Sequence, residues 1–168
     1  MMMLNNKIIL IKKLCIVIST ILFLLSNSLS FAEQDKIIRF VSTRSNEVNA
    51  RNGPGVNYPV IYVFTKKAEP LAVIQEFNEW RKVKDFSGSE SWIHSSLLST
   101  KRYAVVSVEG IHEIYRFATK KSRIVAKIEK NTRCKIEKIT ENFCQISVDG
   151  YKGWIEKKLL WGIVVHEK

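Results

Sequence analysis

The sequence is poor in the side chains that most catalytic centres require. It holds three histidines and three cysteines in 168 residues. His94, His112 and His166 stand singly in polar or strand-like surroundings, and neither Cys134 nor Cys144 opens a helix that would lower its pKa. A thiol hydrolase needs a cysteine nucleophile, a histidine base and an orienting group on one scaffold, so catalysis of that kind is not expected. No Cys or His has a neighbour at ligand spacing, which argues against a metal centre, and no glycine-rich phosphate loop or other cofactor motif is present. The chain also lacks sustained helical periodicity. Its longest apolar-rich run, residues 14–25, is 12 residues broken by Ser19 and Thr20, short of the ~20 that span a bilayer.

That run has a different use. Lys7, Lys12 and Lys13 precede it with no acid among residues 1–13, giving a positive n-region followed by an h-region. Ser30 and Ala32 place small residues third and first before a signal-peptidase cut, so residues 1–32 read as a signal peptide and the mature chain starts at Glu33. The competing reading is a retained N-terminal anchor. Cys15 lies inside the apolar run without a small-residue approach, which speaks against a lipoprotein. Removing the leader leaves 24 basic against 16 acidic side chains, a net charge of +8. Such a surface suits nucleic acid, but an exported chain does not normally meet it. Anionic envelope polymers, or lipid headgroups in a peripheral contact, are the expected counter-charges, beside the plain alternative that charge keeps a small exported protein soluble.

What remains is rich in short runs of Val, Ile, Phe, Tyr and Trp separated by Gly, Pro, Asn, Asp and Ser, the pattern of a small all-β protein. Strands are predicted at 37–43, 60–65, 71–77, 80–85 and 90–93, then at 103–108, 124–128, 133–139, 143–148, 152–155 and 161–165. Turns fall at Asn52-Gly53-Pro54-Gly55, Ser87-Gly88-Ser89 and Asp149-Gly150, the last a tight-hairpin signal. The two sets form a weak internal repeat. Trp80 falls on Phe143, Val83 on Ile146, Trp92 on Trp154, Ile93 on Ile155, Leu97 on Leu159 and Leu98 on Leu160, and upstream Arg51 meets Arg116 and Val60 meets Val125. This predicts two small β-barrels, 33–102 and 103–168, each of marginal size alone and therefore packed together. Cys134 and Cys144 flank a predicted turn at 140–142, so a disulfide across a hairpin and a free buried pair both stay open.

The run Val48-Asn49-Ala50-Arg51-Asn52-Gly53-Pro54-Gly55, followed by Tyr58-Pro59-Val60-Ile61, resembles the signature of bacterial Src-homology-three domains. Trp80-Arg81-Lys82-Val83 and Ser91-Trp92-Ile93 resemble two later strands of that family, with Ser91 where Gly is usual. The second copy keeps Gly153-Trp154-Ile155 and Leu159-Leu160-Trp161-Gly162 but has Ala118 and Thr119 in place of the Gly-Pro turn. The resemblance implies a non-catalytic module for cell-envelope recognition, of the kind attached to wall-lytic enzymes, with peptidoglycan stem peptides or bridges as ligands. Free carboxylates on such ligands would be drawn to basic side chains at a barrel edge, and their backbone to an aromatic groove or an exposed strand.

Tyr58, Tyr62, Trp80 and Trp92 are the candidate aromatic contacts, with Arg51 either contacting ligand or holding its own loop. Gly53 and Gly55 are expected to supply positive φ around Pro54. A scaffold role on another exported protein is the alternative function.

Overall fold

The computed structural model describes residues 36–163, so the expected leader and His166 lie outside the described residues. Seven strands, β1 (Arg39–Thr43), β2 (Val48–Arg51), β3 (Val60–Phe64), β4 (Pro70–Phe77), β5 (Trp80–Lys84), β6 (Glu90–His94) and β7 (Leu98–Ser99), form one antiparallel sheet. Seven more, β8 (Tyr103–Val106), β9 (Ile111–Tyr115), β10 (Ile124–Glu129), β11 (Arg133–Ile139), β12 (Phe143–Val148), β13 (Tyr151–Glu156) and β14 (Leu160–Trp161), form the second. The sheet orders are β3-β2-β6-β5-β4-β1-β7 and β10-β9-β13-β12-β11-β8-β14. These are one topology written twice, and a single 3-10 turn, Ser95–Leu97 or Lys157–Leu159, precedes the last strand of each.

Local chemistry accounts for most boundaries. Asp149 and Gly150 have φ of 48° and 83°, the pair of left-handed residues that a two-residue hairpin between β12 and β13 needs. Gly162, at φ 110°, stops β14 at Trp161; of the strand predicted at 161–165, residues 164 and 165 lie outside the described residues. Strands β2 and β9 were not foreseen. In β2 the inward positions are filled by Val48 and Ala50, with Asn49 and Arg51 turned outward. In β9 the polar pair His112-Glu113 hides a strand whose buried end is Ile114-Tyr115. Short, half-polar strands give little hydrophobic signal and form because neighbours pair with them.

The pairing also corrects the repeat. Arg51 lies opposite Val60 and Trp92, and Tyr115 lies opposite Ile124 and Trp154. Arg51 therefore corresponds to Tyr115 and Val60 to Ile124, one residue earlier in the second copy than the sequence alignment places them.

Each barrel has its own apolar core. The first is built on Val41, Val48, Ala50, Leu71, Val73, Val83, Ile93 and Leu98. The second, which includes Ile114, Ile136, Ile146 and Ile155, contains both cysteines. Cys134 and Cys144 are free. They do not face each other across the β11–β12 hairpin, because Cys144 stands opposite Ile139 while Cys134 stands opposite Ala104. Burial pushes the Cys134 thiol up to about 12 and that of Cys144 up to about 11, so neither is a nucleophile near neutral pH.

The barrels pack against each other within one compact unit. The Glu69 side chain, before β4, is mostly buried and receives both arms of the Arg133 guanidinium from β11, one of them Nη2 to Oε1 at 2.8 Å. Trp161 of the second barrel meets Phe40 edge-on, centroids 5.2 Å apart, and Phe86 at 5.7 Å. Ser42 Oγ donates to the Lys101 carbonyl at 2.8 Å. A bidentate, part-buried ion pair and an aromatic cluster hold the orientation that two marginal barrels need.

Candidate functional site

The loop after β2 carries the most distinctive residues of the sequence. Arg51 Nη1 donates to the carbonyls of Val56 at 3.1 Å and Tyr58 at 2.6 Å, so its guanidinium holds the loop from inside. Neither Gly53 nor Gly55 has a positive φ, which corrects the expectation that they supply left-handed turns. Their role is space. A Cβ on Gly53 would lie 2.3 Å from Tyr58 Cδ1, and one on Gly55 would lie 3.3 Å from Cδ2. The Tyr58 ring lies over the glycines; at Gly53 only a hydrogen side chain permits that approach, while at Gly55 a Cβ would need the ring to give by a few tenths of an ångström.

The second barrel shows the converse. Three backbone hydrogen bonds recur at corresponding positions: Asn52 to Pro59 and Arg116 to Arg123, Gly55 to Gly53 and Thr119 to Phe117, Tyr58 to Gly55 and Ser122 to Thr119, each from amide to carbonyl. The loop thus keeps its path without glycine or proline. Phe117 stands where Gly53 does and Ser122 where Tyr58 does, and Ser122 Oγ accepts the Phe117 amide at 3.0 Å. Side chain and covering ring exclude each other, and each barrel has resolved the conflict in its own way.

In each barrel the hairpin turn before β5 or β12 meets the 3-10 turn at one corner. The same bond ties that corner in both, Ser95 to the Glu79 carbonyl at 2.7 Å and Lys157 to the Asn142 carbonyl at 2.9 Å. In the first barrel, Trp80 packs edge-on against His94 at 5.3 Å, Ser95 Oγ donates to Glu79 at 2.9 Å, and the Ser96 amide donates to His94 Nδ1 at 3.3 Å. These corner groups bond to one another.

In the second barrel this corner borders an open cleft of about 810 Å³ lined by the 118–121 loop, Glu141 to Phe143, Glu156 to Lys158, and Leu160. Four lysines rim it, Lys120, Lys121, Lys157 and Lys158, against Glu141 and Glu156. Glu156 is already engaged by Lys120 at 2.9 Å and Lys158 at 3.3 Å. The hydrogen bond from Lys120, with Lys158 adding to it, holds the Glu156 carboxyl below its ordinary value. Lys121 and Lys157 have no carboxylate at ion-pairing distance among the described residues. The cleft therefore combines apolar walls, Phe143 and Leu160, with ammonium groups free to take an anion.

The remaining sequence candidates divide by face. Cross-strand partners share a face, and Trp80 opposite His94, Lys82 opposite Trp92, and Trp92 opposite Arg51 put Arg51, Trp80 and Trp92 on the outer face of the first barrel. Tyr62 is on the other face. It packs on the core and its hydroxyl donates to Ser91 Oγ at 3.0 Å, while burial raises its pKa. It is thus a packing residue, separate from Trp80 and Trp92. Sequence reasoning missed the lysine cleft because its residues come from three separate segments. The signal that could have found it was the Lys120-Lys121 and Lys157-Lys158 pairs, placed at the same structural corner by the repeat.

A family model described as bacterial SH3 domain matches residues 44–100 and 109–162, more than half of the chain. Among curated proteins, the candidate N-acetylmuramoyl-L-alanine amidase YrvJ of Bacillus subtilis (strain 168) is 22% identical over 154 residues, covering 86% of this chain and 29% of that protein. The chain thus spans less than a third of that relative. Among solved structures, NlpC2 from Trichomonas vaginalis is 18% identical, with 77% of this chain and 49% of that one covered at a TM-score of 0.35. An NlpC/P60 family protein from Bacillus cereus ATCC 10987 is 10% identical, with coverages of 73% and 55% and a TM-score of 0.34. Likenesses this weak carry no argument.

Proposed function

The chain belongs to the bacterial SH3 domain family, in two tandem copies, and from that premise we propose that it is an exported, non-catalytic module that binds peptidoglycan peptides at the cell envelope. The proposed organisation is a signal peptide at 1–32 and domains at 33–102 and 103–168. The observation that carries the reading is the open cleft of the second barrel, whose four lysines outnumber its two glutamates beside an apolar wall. Wall stem peptides are short, extended and end in free carboxylates, so their backbone and small side chains match the walls and their carboxylates match Lys121 and Lys157. The relative named for its action on the N-acetylmuramoyl-L-alanine linkage supports the same polymer as the target.

A second contact surface is favoured by one observation. Trp80 and Trp92 are half-buried on one face of the first barrel, with Lys82 and Arg51 as cross-strand neighbours of Trp92. Half-buried indoles suit a sugar face or a peptide backbone, while Lys82 is already paired with Glu90 at 2.6 Å. Two weak contacts on one polymer reinforce each other through effective concentration.

Co-sedimentation with purified sacculi tests the reading. The chain should pellet at physiological salt, lose most of its binding in Lys121→Glu/Lys157→Glu, and lose part in Trp80→Ala/Trp92→Ala, provided both variants keep their thermal transitions. A chain that stays in the supernatant at low and physiological salt alike would refute wall binding and return the alternative of a docking role on an exported protein.

A further inference from the structure

We propose that the crevice between the two barrels is a second ligand site, which takes a small monocarboxylate with an apolar body. The crevice encloses about 390 Å³, within the range of small-molecule sites. Phe40 of β1 supplies apolar lining from the first barrel, and Ile136 and Ile139 of β11, with Ile163 beyond β14, supply it from the second. The charged side chains lining it among the described residues are all cationic, Arg39, Arg102 and Lys157. Both barrels fix its shape. Phe40 is held by its edge-on contact with Trp161, and the segment joining the barrels is held by the Ile136 amide, which donates to the Arg102 carbonyl at 3.0 Å.

The repeat identifies what the crevice lacks. Val73 lies opposite Val83 and Ile136 opposite Ile146, so the match of Val83 with Ile146 also sets Val73 on Ile136. Arg39 is the strand neighbour of Val73, and Arg102 is the corresponding neighbour of Ile136. Three residues further on, Glu76, opposite Arg81, corresponds to Ile139, opposite Cys144. In the first barrel Arg39 pairs with Glu76. In the second, isoleucine replaces that glutamate, and the Arg102 guanidinium has no carboxylate at ion-pairing distance among the described residues. An exposed guanidinium beside an apolar lining, where its counterpart holds a carboxylate, suits a carboxylate that arrives on an apolar ligand. Lys157 adds a second cation. Burial raises the Cys144 thiol while the charges of Lys157 and Arg102 both oppose that rise, so the two cations approach the same side of the second core from separate segments.

Titration of the ¹⁵N-labelled chain with decanoate, decanol and acetate tests this. Decanoate should give saturable amide shifts at residues 39–40, 102, 136, 139 and 163, while decanol, without the charge, and acetate, without the apolar body, should bind there about tenfold more weakly or worse. Arg102→Gln, on an exposed side chain, should weaken decanoate by about tenfold or more and leave the thermal transition in place. Ile139→Glu, which restores the first barrel's carboxylate, should pair with Arg102 and abolish the shifts in a chain that still folds. Decanol binding as tightly as decanoate overturns the proposal. So does decanoate affinity unchanged in Arg102→Gln, or the absence of saturable shifts at these residues. Arg102 does not line the lysine cleft, so Arg102→Gln should pellet with sacculi as wild type does, and the two proposals fail separately.

Discussion

Replacing Gly53 by Ala should destabilise the first barrel through Tyr58 and not through the backbone. An added Cβ would come within 2.3 to 2.5 Å of three atoms of the Tyr58 ring, so the ring must swing off the loop. Tyr58 is 46% exposed and covers roughly half of its ~200 Å² of surface, about 100 Å² worth about 2.5 kcal/mol at 25 cal/mol per Å². Part of that contact re-forms elsewhere, so Gly53→Ala should cost about 1–2 kcal/mol, a Tm drop of roughly 3–6 °C for a folded unit of this size.

Tyr58→Ser should cost a similar amount. The decisive variant is Gly53→Ala/Tyr58→Ser, which combines a side chain at 53 with a small residue at 58, as Phe117 and Ser122 do in the second barrel. Because Gly53 has no positive φ, alanine is unstrained there once the ring is gone and even reduces the freedom of the unfolded chain. The double variant should therefore be no less stable than Tyr58→Ser alone, giving a coupling of about 1–2 kcal/mol in a double-mutant cycle read from urea and thermal melts. Additive losses would refute the steric account and imply a backbone demand for glycine.

Three further outcomes follow from the same structure. Arg133→Met leaves the Glu69 carboxylate buried without its partner and should cost about 1–3 kcal/mol, the low side of buried pairs because Arg133 is one-third exposed; Glu69→Leu/Arg133→Met should recover much of it, and urea melts showing the double variant as the weaker would contradict this. Both thiols should resist a disulfide-exchange reagent in the folded chain from pH 7 to 9 and react on unfolding, since burial raises both; rapid native labelling of either would place it outside the core. Glu156 is held below its ordinary 4.5 in the folded chain, so its contribution to stability is present above that value and is lost as pH falls through the depressed one. A comparison of acid melts between wild type and Glu156→Gln should show the variant with the shallower decline below pH 4.5, and parallel curves would contradict the assignment.

The parts of the fold carried by strong local signals were legible in the sequence. Aromatic and β-branched strands, the Asp149-Gly150 hairpin and the repeat anchored on Trp80, Trp92 and Trp154 all act over a few residues. Strands β2 and β9 were not legible because half-polar segments become strands only when neighbours supply their hydrogen bonds. The first-third register of the repeat slipped by one for a related reason: Arg51 and Arg116 match by type, while the ladder pairs positions, and position 115 holds Tyr. At the candidate site, composition identified Gly53 and Gly55 as special but gave the wrong cause, since a positive φ and a ring overhead both demand glycine. Ala118 and Thr119 looked like a degraded turn, yet the same three hydrogen bonds form there. The lysine cleft depends on the meeting of distant segments, and no local pattern records it.

The most direct test is amide chemical-shift mapping of the ¹⁵N-labelled chain during titration with a disaccharide stem peptide bearing a free carboxylate at physiological salt. Recognition by the second barrel predicts saturable shifts concentrated at residues 118–121, 142–143 and 156–158, lost in Lys121→Glu/Lys157→Glu. Shifts confined to the Trp80–Trp92 face, or no shifts at millimolar peptide, would contradict it.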